Sequence, residues 1–391
     1  MTSPRLHGPL ARALAPLARQ ALPLLLRARR RLTRDAYARL LHGYRLDFLQ
    51  ARRAWPAGIA WRLLDVRQMT PQARAYRLQA PPGLRHRPGD VLLLQWHNGD
   101  ADVQALLART GWPADAPVRL PGGGSAFLPA PPVQGRLADV LREHLDFRGA
   151  APPPASQMPQ AWLAALPRPQ PRSYSISGLA ATPQGEVVEI IVSDVAGGTG
   201  RCSGHLARLR PGIDAVRGWP LAFPLHLAAG GSAPLLVVAT GIAAAGPLHE
   251  LGRAPPRPLW LVVGLRELAA GQPFVQRLLD FAAAHPACRL DLALSRADAG
   301  PPPAALPPNV FLHARARVQQ VLAAEQARWT AHADAQGHAV LIGHARMGAD
   351  VQAWLAQWLV ASGRAADAAA AQQRLRRMER SLTLQYSLSG D

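Results

Sequence analysis

The chain has 391 residues, is 49% apolar and carries a formal charge of +19 at neutral pH, all of it from arginine, so it exceeds what one hydrophobic core usually organises and predicts two domains. Two cysteines, Cys202 and Cys288, without a C-x-x-C spacing, and 13 histidines without a ligand pair at helical spacing argue against a zinc site or a disulfide framework and point to a reducing, cytoplasmic setting. The longest leucine-rich run, Ala21 to Leu26, lies between Arg19 and Arg27 and is far shorter than the roughly 20 residues that cross a bilayer.

Residues 1–58 read as a basic arm. Residues 1–60 hold twelve arginines against Asp35 and Asp47, a balance of +10. Pro9, Pro16 and Pro23 oppose a continuous helix, since each interior proline costs about 3 kcal/mol. A partly disordered segment is expected. Its charge suits an acidic protein or an anionic membrane surface, or else serves only solubility. Without aromatic interleaving or a recognised fold it gives no case for nucleic acid.

Residues 59–228 predict an antiparallel barrel. Strand-like runs at Ile59 to Val66, Ala73 to Leu78 and Val91 to Trp96 are separated by Thr70-Pro71, Pro81-Pro82-Gly83 and Pro88-Gly89-Asp90. Residues 99–170 interrupt that rhythm with helices at Ala101 to Thr110 and Arg136 to Phe147, and read as a helical insertion. Runs at Arg172 to Ser177 and Val187 to Ser193 resume the barrel, and Gly200 to Leu209 reads as a loop entering a helix.

Residues 229–391 predict an α/β domain with a parallel sheet. Apolar runs at Pro234 to Ala239, Leu259 to Val263, Leu290 to Leu294 and Ala339 to Ile342 alternate with helical stretches. The helices fall at Ala243 to Leu251, Pro273 to His285, Ala316 to Thr330, Ala349 to Ser362 and Ala365 to Leu382.

Two segments carry chemistry. A flavin needs an aromatic partner on one ring face, a hydroxyl near its reactive nitrogen and a cation on its pyrophosphate; Arg172-Ser173-Tyr174-Ser175-Ile176-Ser177 offers all three. Alone, the same hexapeptide also fits a surface strand with a packed tyrosine. Gly200-Arg201-Cys202-Ser203 follows and opens a helix, where free backbone N–H groups and the helix dipole favour phosphate. Alone it also fits an ordinary serine-capped helix, but the two in this order are better explained together.

From about Ile59 onward the chain resembles the reductase module of NADPH-dependent diflavin reductases within the ferredoxin-NADP reductase superfamily, most closely the flavoprotein component of sulfite reductase and the NADPH-cytochrome reductase type. Pro88-Gly89-Asp90, Arg172 to Ser175, Gly200 to Ser203, Thr240 to Ala243, Ser295-Arg296 and Asp350 stand where that family has Pro-Gly-Asp, Arg-x-Tyr-Ser, Gly-x-Cys-Ser, Thr-Gly-Ile-Ala, Ser-Arg and a helix-opening aspartate. The resemblance implies FAD and NADPH as cofactors. Arg172 and Ser203 would bind the FAD phosphates, with Gly200, Arg201 and Cys202 also in the cofactor site, Tyr174 would stack on the flavin, and Ser175 would assist hydride transfer. Thr240 and Gly241 would face the nucleotide pyrophosphate, Ser295 and Arg296 the 2′-phosphate, and Asp350 would complete the nucleotide side.

Departures fall mostly in the nucleotide half. The family's Gly-Pro-Gly-Thr-Gly is Val237-Val238-Ala239-Thr240-Gly241, its Lys-x-Tyr beside the 2′-phosphate is Asn309-Val310-Phe311, with Arg315 and Arg317 as possible electrostatic substitutes, and its Cys-Gly-Asp is Ile342-Gly343-His344. The chain ends Ser387-Leu388-Ser389-Gly390-Asp391 without the family's terminal aromatic, and the arm is too short for its flavodoxin-like FMN domain. The expected activity is an NADPH-dependent FAD reductase that delivers electrons to a separate FMN protein or redox hemoprotein. The alternative is an FAD-binding protein with a degenerate nucleotide site and little NADPH reductase activity.

Overall fold

The computed structural model describes residues 51, 58–87, 90–125, 128–151, 153, 159–195, 200–221, 227, 232–253, 257–268, 272–296, 306–381 and 383–389. Apart from Ala51 and Gly58, the basic arm lies outside them, as does the Pro88-Gly89 pair.

A six-stranded antiparallel barrel comes first. It closes in the order β1-β10-β3-β8-β9-β2, with β1 Ile59–Thr70, β2 Ala73–Gln79, β3 Val91–Leu94, β8 Arg172–Thr182, β9 Gly185–Ser193 and β10 Ala215–Leu221. Five of these strands match the sequence pattern; β10 is the addition. Alternation sets the faces: Val188, Ile190 and Val192 of β9 are buried while Glu189 and Ile191 between them are half-buried. The insertion between β3 and β8 holds α1 (Asp100–Thr110), α2 (Leu137–His144) and α3 (Pro159–Ala165), together with two short ribbons, β4 (Pro117–Leu120) with β7 (Val133–Arg136) and β5 (Gly123–Ser125) with β6 (Leu128–Ala130). Asp100 and Asp102 in the first turn of α1 and Arg109 in the last complement the helix dipole. Val103, Leu106, Leu107, Leu137, Val140, Leu141 and Leu163 form the insertion's own apolar core.

A six-stranded parallel sheet with helices follows, in the order β14-β13-β12-β11-β15-β16. Its strands are β11 Leu235–Thr240, β12 Leu259–Leu265, β13 Cys288–Leu294, β14 Val310–Ala314, β15 His338–His344 and β16 Leu384–Ser389. The sequence pattern predicts four of them and misses β14 and β16. After α4 (Arg201–Arg208) of the preceding region, the helices here are α5 (Ala245–Leu251), entered through a 3₁₀ turn at Gly241–Ala244, α6 (Pro273–Ala284), α7 (Val318–Ala324), α8 (Gln326–Asp334), α9 (Ala345–Ala361) and α10 (Ala368–Arg380). The helix predicted over 316–330 is two, divided at Glu325, and the one predicted from Ala349 opens earlier, at Ala345. No described helix is long and apolar enough to cross a membrane.

By internal packing the described residues divide into two compact units. One comprises those of Met1–Leu63, Leu92–Ser173 and Asp194–Leu221, the other those of Leu64–Val91, Tyr174–Ser193 and Ala222–Asp391. In the second unit, Leu290, Leu292 and Leu294 of β13 pack with Val237, Ala239, Leu261, Val263, Phe274 and Leu278 into one apolar cluster. The alternate residues Arg289 and Asp291 project to the opposite face of β13, as strand periodicity requires.

Candidate functional site

Strand order in the parallel sheet reverses at β11, which has β12 on one side and β15 on the other. In open α/β sheets ligands bind outside the carboxyl ends of the strands at such a point. There β11 ends in Thr240, followed by Gly241, and β15 ends in Gly343 and His344. The Thr240 hydroxyl accepts from the His344 backbone N–H at 3.1 Å and so ties the two strand ends together. That contact requires a glycine beside it. A Cβ on Gly343 would stand 2.0 Å from Thr240 Oγ1, and its φ of +128° is one that side chains rarely adopt. Over Gly241, by contrast, nothing lies within 4 Å of where a Cβ would be, so the backbone is open to a ligand. His344 caps α9: its Nδ1 accepts from Arg346 N–H at 3.1 Å, which assigns the proton of the neutral ring to Nε2. The β15–β16 register sets Ser389 opposite His344.

Ser295 and Arg296 lie at the same edge of the sheet. The Ser295 amide and hydroxyl both donate to the Leu265 carbonyl, at 3.0 and 3.2 Å, and the Arg296 amide donates to the Arg266 carbonyl at 2.9 Å. This extends the β12–β13 ladder past the strand ends and presents Arg266 and Arg296 as exposed side chains. Leu294 pairs with Ala314, so the residues following β14, the exposed Arg315 and Arg317, belong to this edge as well. None of these four arginines forms an ion pair among the described residues.

Two expectations are corrected here. Asn309 precedes β14, at the amino edge of the sheet, where its amide donates to the carbonyls of Cys288 at 2.7 Å, Ala282 at 2.9 Å and His285 at 3.3 Å. Phe311 pairs in register with Asp291 and lies beneath the Arg289 guanidinium, 3.9 Å from the ring centroid. Neither residue is beside Ser295 and Arg296; the register puts them toward the other end of the strands. Asp350 does not open α9, which begins at Ala345; it lies in the second turn, half-buried, and accepts from Gln319 Nε2 of α7 at 3.3 Å. Ile342 is 5% exposed and belongs to the apolar cluster, paired with Ala239 and Ser387, so it fills core space rather than the edge.

On β8, Arg172 and Ser175 are exposed and Tyr174 is half-buried. Past that point the strand is anchored by the Ile176 amide, which donates to the Asp90 carbonyl at 2.7 Å, while the Asp90 carboxylate accepts from the Arg87 amide at 2.9 Å. Gly200 is the N-cap of α4, without a side-chain capping bond, and Ser203 Oγ occupies the space over it, 2.1 Å from where a Cβ would stand. Cys202 and Ser203 are buried. Arg201 is committed internally: it pairs with Asp146 at 2.5 Å and donates to the Arg148 carbonyl at 3.1 Å. Arg148 in turn pairs with Asp102 at 2.7 Å, which links the start of α4 to α1. Burial pushes the His205 imidazole down to about 3, with His97 and Arg208 adding, so it is neutral at pH 7.

The sequence reading missed a buried polar network in the sheet. Asp291, fully buried, accepts from Trp260 Nε1 at 2.7 Å, His313 Nε2 at 2.6 Å and Arg289 at 2.7 and 3.0 Å. Burial alone would raise its carboxyl, but the hydrogen bonds from Arg289, His313 and Trp260 together hold it below the usual carboxylate range. Burial, with Asp291 adding, pushes the neighbouring Cys288 thiol up to about 12, which leaves it an inert packing residue. The signal in the sequence is the alternation Arg289-Leu290-Asp291-Leu292, which places two charges on a strand face that must be covered.

No protein-family model matches the chain, and no curated protein matches it.

Proposed function

We propose that the protein is a cytoplasmic flavin-dependent reductase of the ferredoxin-NADP reductase superfamily, taking reducing equivalents from NADPH onto FAD and delivering them to a separate FMN protein or redox hemoprotein. The observation that carries this reading is the carboxyl edge of the parallel sheet. There the open backbone at Gly241, the Thr240–His344 tie and the exposed arginines at the ends of β12, β13 and β14 meet a nucleotide's needs in one place. A preceding antiparallel barrel agrees with the two-domain architecture of that superfamily.

The residues fit the two cofactors. Arg172 would bind the FAD pyrophosphate as an exposed guanidinium, with the Gly200–Ser203 stretch, including Cys202, supplying amides at the start of α4. Tyr174 would pack against the ring system and Ser175 would place its hydroxyl at the reacting edge. Thr240 and Gly241 would let the nucleotide pyrophosphate approach the backbone; Ser295, Arg296, Arg315 and Arg317 would take the 2′-phosphate, for which planar guanidinium forks are well shaped. When bound, FAD supplies a two-electron acceptor that can release electrons one at a time. Arg201, paired with Asp146, would support the loop rather than add free charge.

One observation favours the second reading, an FAD protein with little NADPH reductase activity: Ile342 offers only a buried alkyl group at the position of the family's thiol. The visible spectrum of the purified protein, followed by anaerobic addition of NADPH, tests both. A yellow protein bleached by NADPH is expected. A yellow protein that NADPH leaves oxidised supports the second reading, and a colourless protein that does not take up added FAD overturns the flavoprotein assignment.

A further inference from the structure

Away from the carboxyl edge, a groove of about 150 Å³ lies within the second compact unit. It is lined by Arg77 of β2, Ser177 to Ala180 of β8, Val187 and Glu189 of β9, His249 of α5 and Arg277 of α6. Glu189 is its centre. The barrel registers pair Glu189 with Arg77 on one side and with Gly178 on the other, and a β-bulge at Ser177 turns that hydroxyl onto the same carboxylate. Ser177 Oγ donates to Glu189 Oε1 at 3.1 Å and to the Glu189 carbonyl at 3.1 Å, and Arg277 Nη1 donates to the same Oε1 at 2.9 Å.

The groove is therefore short of negative charge. It has one carboxylate and two guanidiniums, and the carboxylate is held by Arg277 and Ser177. Arg77 is half-buried, and although it stands directly opposite Glu189 in the register, it forms no ion pair among the described residues. His249 does not contribute a balancing acceptor to it, because His249 Nε2 accepts from the Leu179 amide at 3.3 Å, which places the ring proton on Nδ1. Burial lowers the His249 imidazole, with Arg253 adding, so the ring is a neutral donor at pH 7.

A half-desolvated guanidinium without a counter-charge is costly, and an oxyanion bridging it to a second, fixed guanidinium relieves that cost with charge-assisted hydrogen bonds. The volume suits a phosphate-sized group and is too small for a nucleoside. We propose that this groove binds a phosphate-sized inorganic oxyanion between Arg77 and Arg277, with His249 as a further donor. The site stands apart from the reductase reading and would persist without it.

Isothermal titration of the full-length protein with inorganic phosphate tests the proposal, using Arg77→Gln and Arg296→Gln as a matched pair. Expected is a phosphate-binding event that Arg77→Gln weakens by at least about tenfold, that Arg77→Lys partly restores, and that is still present in Arg296→Gln, in which only binding at the sheet edge is reduced. Arg77→Gln is chosen because it removes no described ion pair, and retention of its thermal transition separates lost binding from lost folding. Wild-type affinity weaker than about 50 mM, or equal affinity in wild type and Arg77→Gln, overturns the site. If only Arg296→Gln weakens binding, the anion sits at the sheet edge, and the groove proposal fails while the nucleotide reading gains.

Discussion

Arg289 and Arg296 stand near the two ends of β13 and differ in what surrounds them. Arg289 donates to both oxygens of the buried Asp291, at 2.7 and 3.0 Å, reaches Glu325 at 2.7 Å, and covers the ring of Phe311. Arg296 is exposed and, among the described residues, is anchored only through its backbone amide to the Arg266 carbonyl. In a chain whose basic residues are all arginine, residue type alone says nothing about role; the partner does. A guanidinium with carboxylates around it is part of the fold, and one presented at a strand end without them is available to an anion. Variants at the two places should fail in different ways.

The largest effect is expected at the centre of the network. Asp291→Ala leaves Arg289 and His313 without their carboxylate and should cost about 3–5 kcal/mol of stability, while cofactor affinity of the remaining folded protein stays near wild type. The folded carboxyl lies below its ordinary value, so its stabilising contribution is complete above the unfolded value of about 3.9 and is lost as pH falls through the lower folded one. Wild type should thus lose stability on acidification below about pH 4 more steeply than Asp291→Asn. Denaturant unfolding of the variants checks both statements, and an Asp291→Ala loss under about 0.5 kcal/mol would deny the network any structural weight.

Next in size is the sheet edge. Arg296→Ala should raise the dissociation constant for NADPH by about tenfold to a hundredfold, a loss of about 1.5–3 kcal/mol, with little change for NADH and a melting transition within about 0.5 kcal/mol of wild type. Asn309 and Phe311, which the sequence comparison sets beside the 2′-phosphate, lie at the amino edge, so their identity is no reason to expect weak discrimination between the two nucleotides. On the proposed reading, discrimination would rest instead on Arg296, Arg315 and Arg317. Equal weakening toward NADPH and NADH in Arg296→Ala would move that residue away from the 2′-phosphate.

What could be read in the sequence follows from how local each signal is. Barrel strands rich in β-branched residues, such as Val187 to Ser193, and the apolar runs of β11, β12, β13 and β15 announce themselves. β10 does not, because Gly218 and Pro220 read as turn residues; Gly218 is needed since a Cβ there would stand 2.7 Å from the Leu93 carbonyl. β14 is only five residues long and depends on a neighbouring strand, whereas β16 does alternate, with Leu384, Tyr386 and Leu388 between polar residues, and goes unread because it follows directly on a long helical pattern. The break at Glu325 is invisible because the helical periodicity on either side is continuous. Thr240, Gly241, Ser295 and Arg296 were legible by motif, and the topology brings all four to one edge. Which arginines are free was not legible, since Asp146, far from Arg201 in sequence, decides it.

The smallest expected effect concerns that last pair and sharpens the contrast in the barrel region. Arg172 and Arg201 occupy neighbouring motifs, and the resemblance puts both in the FAD site. Arg201 is 40% exposed at the side chain, pairs with the largely buried Asp146 and donates to the Arg148 carbonyl, whereas Arg172 is exposed at the first residue of β8. Removing Arg201 therefore loosens the link from α4 to the segment carrying Asp146, and a partly exposed pair of this kind is worth about 0–1 kcal/mol. The loss of stability in Arg201→Ala should be correspondingly slight and should diminish at high salt, because screening weakens the same pair in the wild type. Its FAD affinity should change by less than about threefold, while Arg172→Ala should lose about tenfold or more, since a charge-assisted phosphate contact is worth about 1.5–3 kcal/mol. Titration of both apoproteins with FAD, monitored by flavin fluorescence, decides between them. If Arg201→Ala loses FAD as severely as Arg172→Ala while its melting transition is unmoved, then pairing with Asp146 does not withdraw a guanidinium from ligand binding, and partner-based sorting of the arginines fails at this position.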